Sequence, residues 1–112
     1  MRWYEKIVAA HTSLLDIPVS HYRRLTDTRY LVWQEDGAED FEADGRHAEK
    51  AMTGTTDLFT REEFDGAIDA LENAYDAHGI AWALNSVQYE DETGVIHYEW
   101  RWTVKDGKAE VI

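Results

Sequence analysis

Residues 95–104, Val-Ile-His-Tyr-Glu-Trp-Arg-Trp-Thr-Val, alternate in polarity almost without error. Ile96, Tyr98, Trp100, Trp102 and Val104 fall on one side, and His97, Glu99, Arg101 and Thr103 on the other. A period of two carried by β-branched and aromatic residues describes a strand with one covered face. Asp91-Glu92-Thr93-Gly94 just before it supplies a turn, with Gly94 free to take a positive φ. Residues 82–90 form the partner strand, so 87–104 reads as a hairpin. A face holding two tryptophans and a tyrosine must be covered, and the helical segments upstream are the natural cover.

Those segments are read from spacing. Trp3, Ile7, Ala10 and Leu14 recur at helical intervals, which predicts a helix over 3–15. Pro18 excludes helix from the residue before it, and Ile17-Pro18-Val19 should run extended. Arg23 and Arg24 follow in a loop. Arg29 to Gln34 reads as a short buried strand, ended by the turn signal Glu35-Asp36-Gly37. Residues 36–45 are acidic and read as an exposed loop. A second strand over 47–59 contains Gly54, which marks a bulge or a close backbone approach. Thr60-Arg61-Glu62-Glu63 has the form of a capping box. It would start a helix in which Phe64, Ile68, Leu71 and Tyr75 share one face, with His78-Gly79 as the stop. Residues 105–112 read as a mobile tail.

The expected fold is therefore one α+β domain over residues 1–112, in the order α-β-β-α-β-β, with an antiparallel sheet covered by two helices. Its expected core holds Trp3, Ile7, Leu14, Tyr30, Val32, Phe64, Ile68, Leu71, Tyr98, Trp100 and Trp102.

Chemistry is harder to find. The chain has 112 residues, no cysteine and a formal net charge of −12, which disfavours nucleic acid and anionic membranes as partners. The first apolar run, Ile7 to Ala10, is too short for a signal or membrane segment, which makes the cytoplasm the expected compartment. Asp40-Phe41-Glu42-Ala43-Asp44-Gly45 resembles the first half of a calcium loop, but the position that needs a bidentate Glu is Ala51. The five histidines lack metal-ligand spacing, and no nucleophile motif or phosphate-cradling Gly-rich loop is present. The sequence reads as a non-enzyme with no cofactor and no metal; a metal-dependent enzyme would rest on carboxylate count alone.

The segments taken together resemble the small tail-completion and head–tail joining proteins of bacteriophages and prophages. The residues that carry the resemblance are Ile17-Pro18-Val19 after a first helix, Tyr30-Leu31-Val32-Trp33 before an acidic stretch, and Phe41-Glu42-Ala43-Asp44-Gly45. The strand end Asp57-Leu58-Phe59-Thr60, an acidic second helix and a closing hairpin of form Val-Ile-x-Tyr-x-Trp continue the order. The polar interior of residues 51–55 and the tail after Val104 depart from that pattern. The resemblance implies a virion structural protein that caps the tail tube and joins it to the head connector. Related tail terminators form six-fold rings. The partners would be other copies of the chain and phage tail-tube and connector proteins; DNA would pass through the ring without being bound specifically. The protein would reside in the virion, and in the host cytoplasm during assembly. The expected subunit interface pairs the basic Arg23, Arg24 and Arg29 with the acidic Asp36, Glu39, Asp40, Glu42 and Asp44. The alternative is a small acidic inhibitor that imitates DNA charge to occupy a basic host protein.

Overall fold

The computed structural model describes residues 1–43 and 47–107, with the side chains of 39–49 outside the description. Seven elements are present among the described residues: α1 (Trp3–Thr12), β1 (Val19–His21), β2 (Tyr30–Ala43), β3 (His47–Thr60), α2 (Gly66–Ala77), β4 (Ala81–Glu90) and β5 (Val95–Lys105). The strands form one mixed sheet in the order β1-β2-β3-β5-β4. This is an α+β domain, but the sheet is not wholly antiparallel. Residues 17–19, expected only to be extended, lead into β1, which pairs in parallel with β2 through Val19–Leu31, Ser20–Val32 and His21–Trp33. Parallel neighbours usually need a long crossover. Here three residues span only about 10 Å, so the stretch between β1 and β2 suffices to bring the chain back.

The closing hairpin is as the alternation requires. β4 and β5 pair antiparallel from Glu90–Val95 to Ala81–Thr103, and Gly94 sits at φ 71°. Trp100, Trp102 and Val104 are buried, on the same face as the half-buried Tyr98 and Ile96. Leu31, Trp33 and Leu58 share the cluster with them, together with Ile7, Ala10 and Leu14 from the α1 segment and Ala67, Leu71 and Tyr75 from α2. Gly54 explains itself in this layer: a Cβ there would lie 2.3 Å from the Trp102 ring and 2.4 Å from the Gln34 carbonyl. The indole occupies the space that a side chain would need. The opposite face carries a smaller cluster of Tyr30, Val32 and Phe59, with Leu25 of the β1–β2 loop against it.

Several expectations need correction. The stretch expected to be an acidic loop is strand: β2 continues to Ala43, pairing Asp40 with Lys50 and Ala43 with His47. The turn signal Glu35-Asp36-Gly37 is a β-bulge, where the register shifts and Thr53 Oγ1 donates to Asp36 Oδ1 at 2.9 Å. Gly and Asp suit a bulge as well as a turn, and composition does not distinguish them. Residues 40–43 are thus paired backbone, not the start of a calcium loop, and Asp44 lies outside the described residues.

The second helix starts later than the capping box suggests. Thr60 is the last residue of β3, and the N-cap is Asp65, whose Oδ1 accepts from the Ala67 amide at 2.8 Å. An acidic cap that also holds an arginine outcompetes a threonine. Phe64 is consequently not core: it precedes the cap at φ 54° and is 90% exposed. Trp3, Ile68 and Tyr98 are half-buried, packed on the margin of the main cluster.

The first helix ends at Thr12 rather than Leu15, and Leu15 is 94% exposed. At the other end of the chain, the expected tail begins inside β5, since Lys105 is strand. Asp106 then accepts from Arg2 Nε (2.9 Å), Arg2 Nη2 (3.0 Å) and the Trp3 amide (3.1 Å), capping α1 from the far end of the sequence. The rest of the tail, residues 108–112, lies outside the described residues. The stop at His78-Gly79 is as expected: Gly79 takes φ 69°, and the Ile80 amide returns to the Tyr75 carbonyl at 2.9 Å.

Candidate functional site

The most concentrated polar chemistry is sealed inside. His11 Nδ1 donates to the Ile7 carbonyl at 2.7 Å, which leaves Nε2 as an acceptor 2.9 Å from the Thr56 hydroxyl and 3.0 Å from Tyr75 Oη. Tyr75 donates to Thr56 Oγ1 at 2.7 Å and Trp102 Nε1 donates to the same oxygen at 3.0 Å. One residue each from α1, β3, α2 and β5 thus meets at a hydroxyl. Burial pushes the His11 imidazole down to about 4, against a smaller raising contribution from the Ile7 carbonyl. Burial likewise raises the Tyr75 phenol. All four residues are essentially inaccessible to solvent. This knot has the polar groups of a site and no access for a ligand, so it serves to fix how the helices sit on the sheet. The sequence gives little sign of it, because His11, Thr56 and Tyr75 are far apart and each fits a generic amphipathic pattern.

A second knot ties β2 to α2. Arg29 donates from Nε and Nη2 to the two oxygens of Asp65, both at 2.8 Å, and Thr60 Oγ1 donates to Asp65 Oδ2 at 2.7 Å. Arg29 holds the Asp65 carboxyl well below its usual range, outweighing the opposing effect of burial. Arg29 therefore has a structural partner inside its own chain. The other expected interface residues stand differently. Arg23 and Arg24 are exposed in the loop after β1, with the Arg24 guanidinium 5.1 Å from the centroid of Phe59. Asp36 is exposed at the bulge. Glu39, Asp40 and Glu42 lie on β2 with side chains outside the described residues.

The accessible surface that stands out is at the far edge of the sheet. Leu84, Val87 and Tyr89 of β4 are 44%, 53% and 62% exposed, and Phe64 projects nearby. Phe64, Tyr89, Ile96, Tyr98 and Arg61 line an open cavity of about 620 Å³. A phenylalanine held at positive φ and turned to water carries both backbone strain and unburied apolar area. Sequence periodicity missed it by assigning Phe64 to the helix face. A smaller cavity of about 210 Å³ beside it is lined by Arg24, Arg61, Glu90 and Val95 among others. Basic side chains thus gather at the Glu90 end of β4.

The other projecting feature is a ribbon. β1 pairs with β2 only over Leu31–Trp33, and β5 pairs with β3 only as far as Ala51. The Asp106 amide still donates to the Lys50 carbonyl at 2.8 Å, and further out, among the described residues, β2 and β3 pair only with each other; the molecule measures 53 × 24 × 23 Å. Among the described residues, no group of three or more His, Cys, Asp or Glu converges where a metal ion could be held, and no helix is long and apolar enough to cross a membrane. The geometry leaves two surfaces open among the described residues, the apolar β4 edge and the β2–β3 ribbon. No protein-family model matches this chain, and no curated protein is significantly similar to it.

Proposed function

We propose that this chain is a ring-forming structural subunit of a phage virion, which completes the tail tube and joins it to the head connector. The observation that supports the reading is the β2–β3 ribbon, whose outer part extends beyond β1 and β5 and, among the described residues, has no further strand beside it. A ribbon of that kind is an arm with which one subunit reaches its neighbour, and repeated head-to-tail contact closes a ring when the rotation closes. The resemblance of the motifs from Ile17 to Val104 to tail-completion proteins supports the same reading. The net charge of −12 suits a lumen past which DNA slides without adhering.

The charge also makes isolated subunits repel one another. Assembly then requires acidic and basic segments to be brought into register, with Arg23 and Arg24 exposed at one place and Asp36 at the foot of the ribbon. Exchanging Arg23 and Arg24 for Glu tests this. The fold should survive, since exposed changes cost within about 0.5 kcal/mol, plus a similar cation–π contribution from Arg24 over Phe59. Incorporation into particles should fail, leaving unjoined heads and tails in micrographs. Infectious particles from the double variant would remove these arginines from the interface. Infectious particles after deletion of the gene would overturn the structural role, and capture of a basic DNA-binding protein at physiological salt would favour the acidic-inhibitor alternative.

A further inference from the structure

We infer that the free edge of β4 is where a second copy of this chain docks, and that it takes the open segment of that copy's β2, residues 34–43, as an added strand. The inference rests on the ring reading and specifies its contact. Exposed sheet edges are normally blunted by lysine, proline, inward charge or shortness. β4 has none of these, its one protective irregularity being the bulge between Leu84 and Ser86. Its ten residues, Ala-Trp-Ala-Leu-Asn-Ser-Val-Gln-Tyr-Glu, carry one charge, on the last. In a chain that is 30% charged, an edge so neutral leaves open backbone donors and acceptors on both sides of that bulge, and what satisfies them is another strand.

The subunit itself owns the complementary strand. At the opposite side of the sheet β1 covers β2 only as far as Trp33, so residues 34–43 have no strand beside them on that edge among the described residues, a stretch ten residues long like β4. This segment holds five carboxylates, Glu35, Asp36, Glu39, Asp40 and Glu42, and no basic residue. Two such segments side by side would repel, as cross-strand like charges do. β4 offers them a track with one charge of its own, where Glu99, Asp76 and Glu63 lie nearby but cations are also at hand. Arg61 lines the cavity at its Glu90 end together with Arg24. Arg101, in register with Ala83 on β5, is exposed and makes no ion pair among the described residues. The exposed Leu84, Val87 and Tyr89 then gain a strand against their flanks. Each copy contributes one edge of each kind, so the contact is heterologous and propagates.

The absence of cysteine makes the test direct. The full-length Val87→Cys variant is mixed under oxidising conditions with Asp36→Cys, Ala38→Cys or Asp40→Cys variants, all at strand-edge positions. Mixed disulfides between the Val87→Cys chain and the β2 variants should exceed either homodimer several-fold for at least one register. That excess should fall several-fold when Arg61 and Arg101 are both changed to Glu, while urea melts stay unchanged. Cross-links between two copies of the Val87→Cys variant alone would mean twofold β4–β4 pairing and would overturn the inference, as would the absence of any mixed product. Particles that incorporate the variants without the mixed link sink this contact and leave the ring reading standing. Mixed links from a chain that particles do not need would do the reverse.

Discussion

Acidification should destabilise this protein through His11. The imidazole is fully buried and neutral, with Nδ1–H bound to the Ile7 carbonyl and Nε2 accepting from the Thr56 hydroxyl. Its protonation is held down to about 4, whereas a histidine in the unfolded chain titrates near 6.5. Between those values the unfolded chain binds the extra proton, so stability is complete above pH 6.5 and declines as pH falls towards 4. Each pH unit is worth about 1.36 kcal/mol, so the full span of about 2.5 units amounts to about 3 kcal/mol. About 1 kcal/mol should be gone by pH 5.5 and about 2–3 kcal/mol by pH 4.5. Asp65 acts in the same direction at lower pH. Its depressed carboxyl contributes stability above its ordinary value near 3.8, and that contribution is lost as pH falls further. Urea unfolding followed by tryptophan fluorescence at pH 7.5, 5.5 and 4.5 measures the decline, with the buried Trp100 and Trp102 as reporters. His11→Gln should be less stable at pH 7.5 and much flatter across this range. An identical slope in His11→Gln would place the titration on another group and refute the reasoning.

Other substitutions probe the packing. Gly54→Ala should cost about 2–3 kcal/mol, because its Cβ would need the space of the Trp102 ring and the Gln34 carbonyl, and thermal melts will register it. Trp100→Ala should cost about 3–5 kcal/mol, since the indole is wholly buried and its Nε1 donates to Glu72 at 2.9 Å; a loss under about 1 kcal/mol would mean that the covered face of β5 is misassigned. Asp65→Ala should cost about 2–4 kcal/mol by removing a helix cap and stranding Arg29, and an Arg29→Ala background should recover a measurable part of it in a double-mutant cycle.

Local patterns in the chain were enough to specify most elements. The alternation of 95–104 gives β5 and the face it buries, because period two is imposed by the pleat of any strand. The stop at His78-Gly79 is equally legible, since only a residue tolerant of positive φ ends a helix that way. Gly54 announced either a bulge or a close approach, and nothing nearby in sequence says that it is an approach or that Trp102 makes it.

What tertiary structure decided is wherever two local answers compete and a distant residue chooses between them. Thr60 and Asp65 both suit a helix cap, and Arg29, from the residue just before β2, selects Asp65 and turns Phe64 outward. Glu35-Asp36-Gly37 suits a turn or a bulge, and the paired β3 selects the bulge. The three residues of β1 are too short a segment to signal a strand, and only their register with β2 makes them one. The same holds for the His11–Thr56–Tyr75 knot and for the free edges of β2 and β4. A free edge is defined by which strand is missing beside it, and sheet order depends on pairing between segments far apart in the chain, whereas periodicity reports only what each segment is.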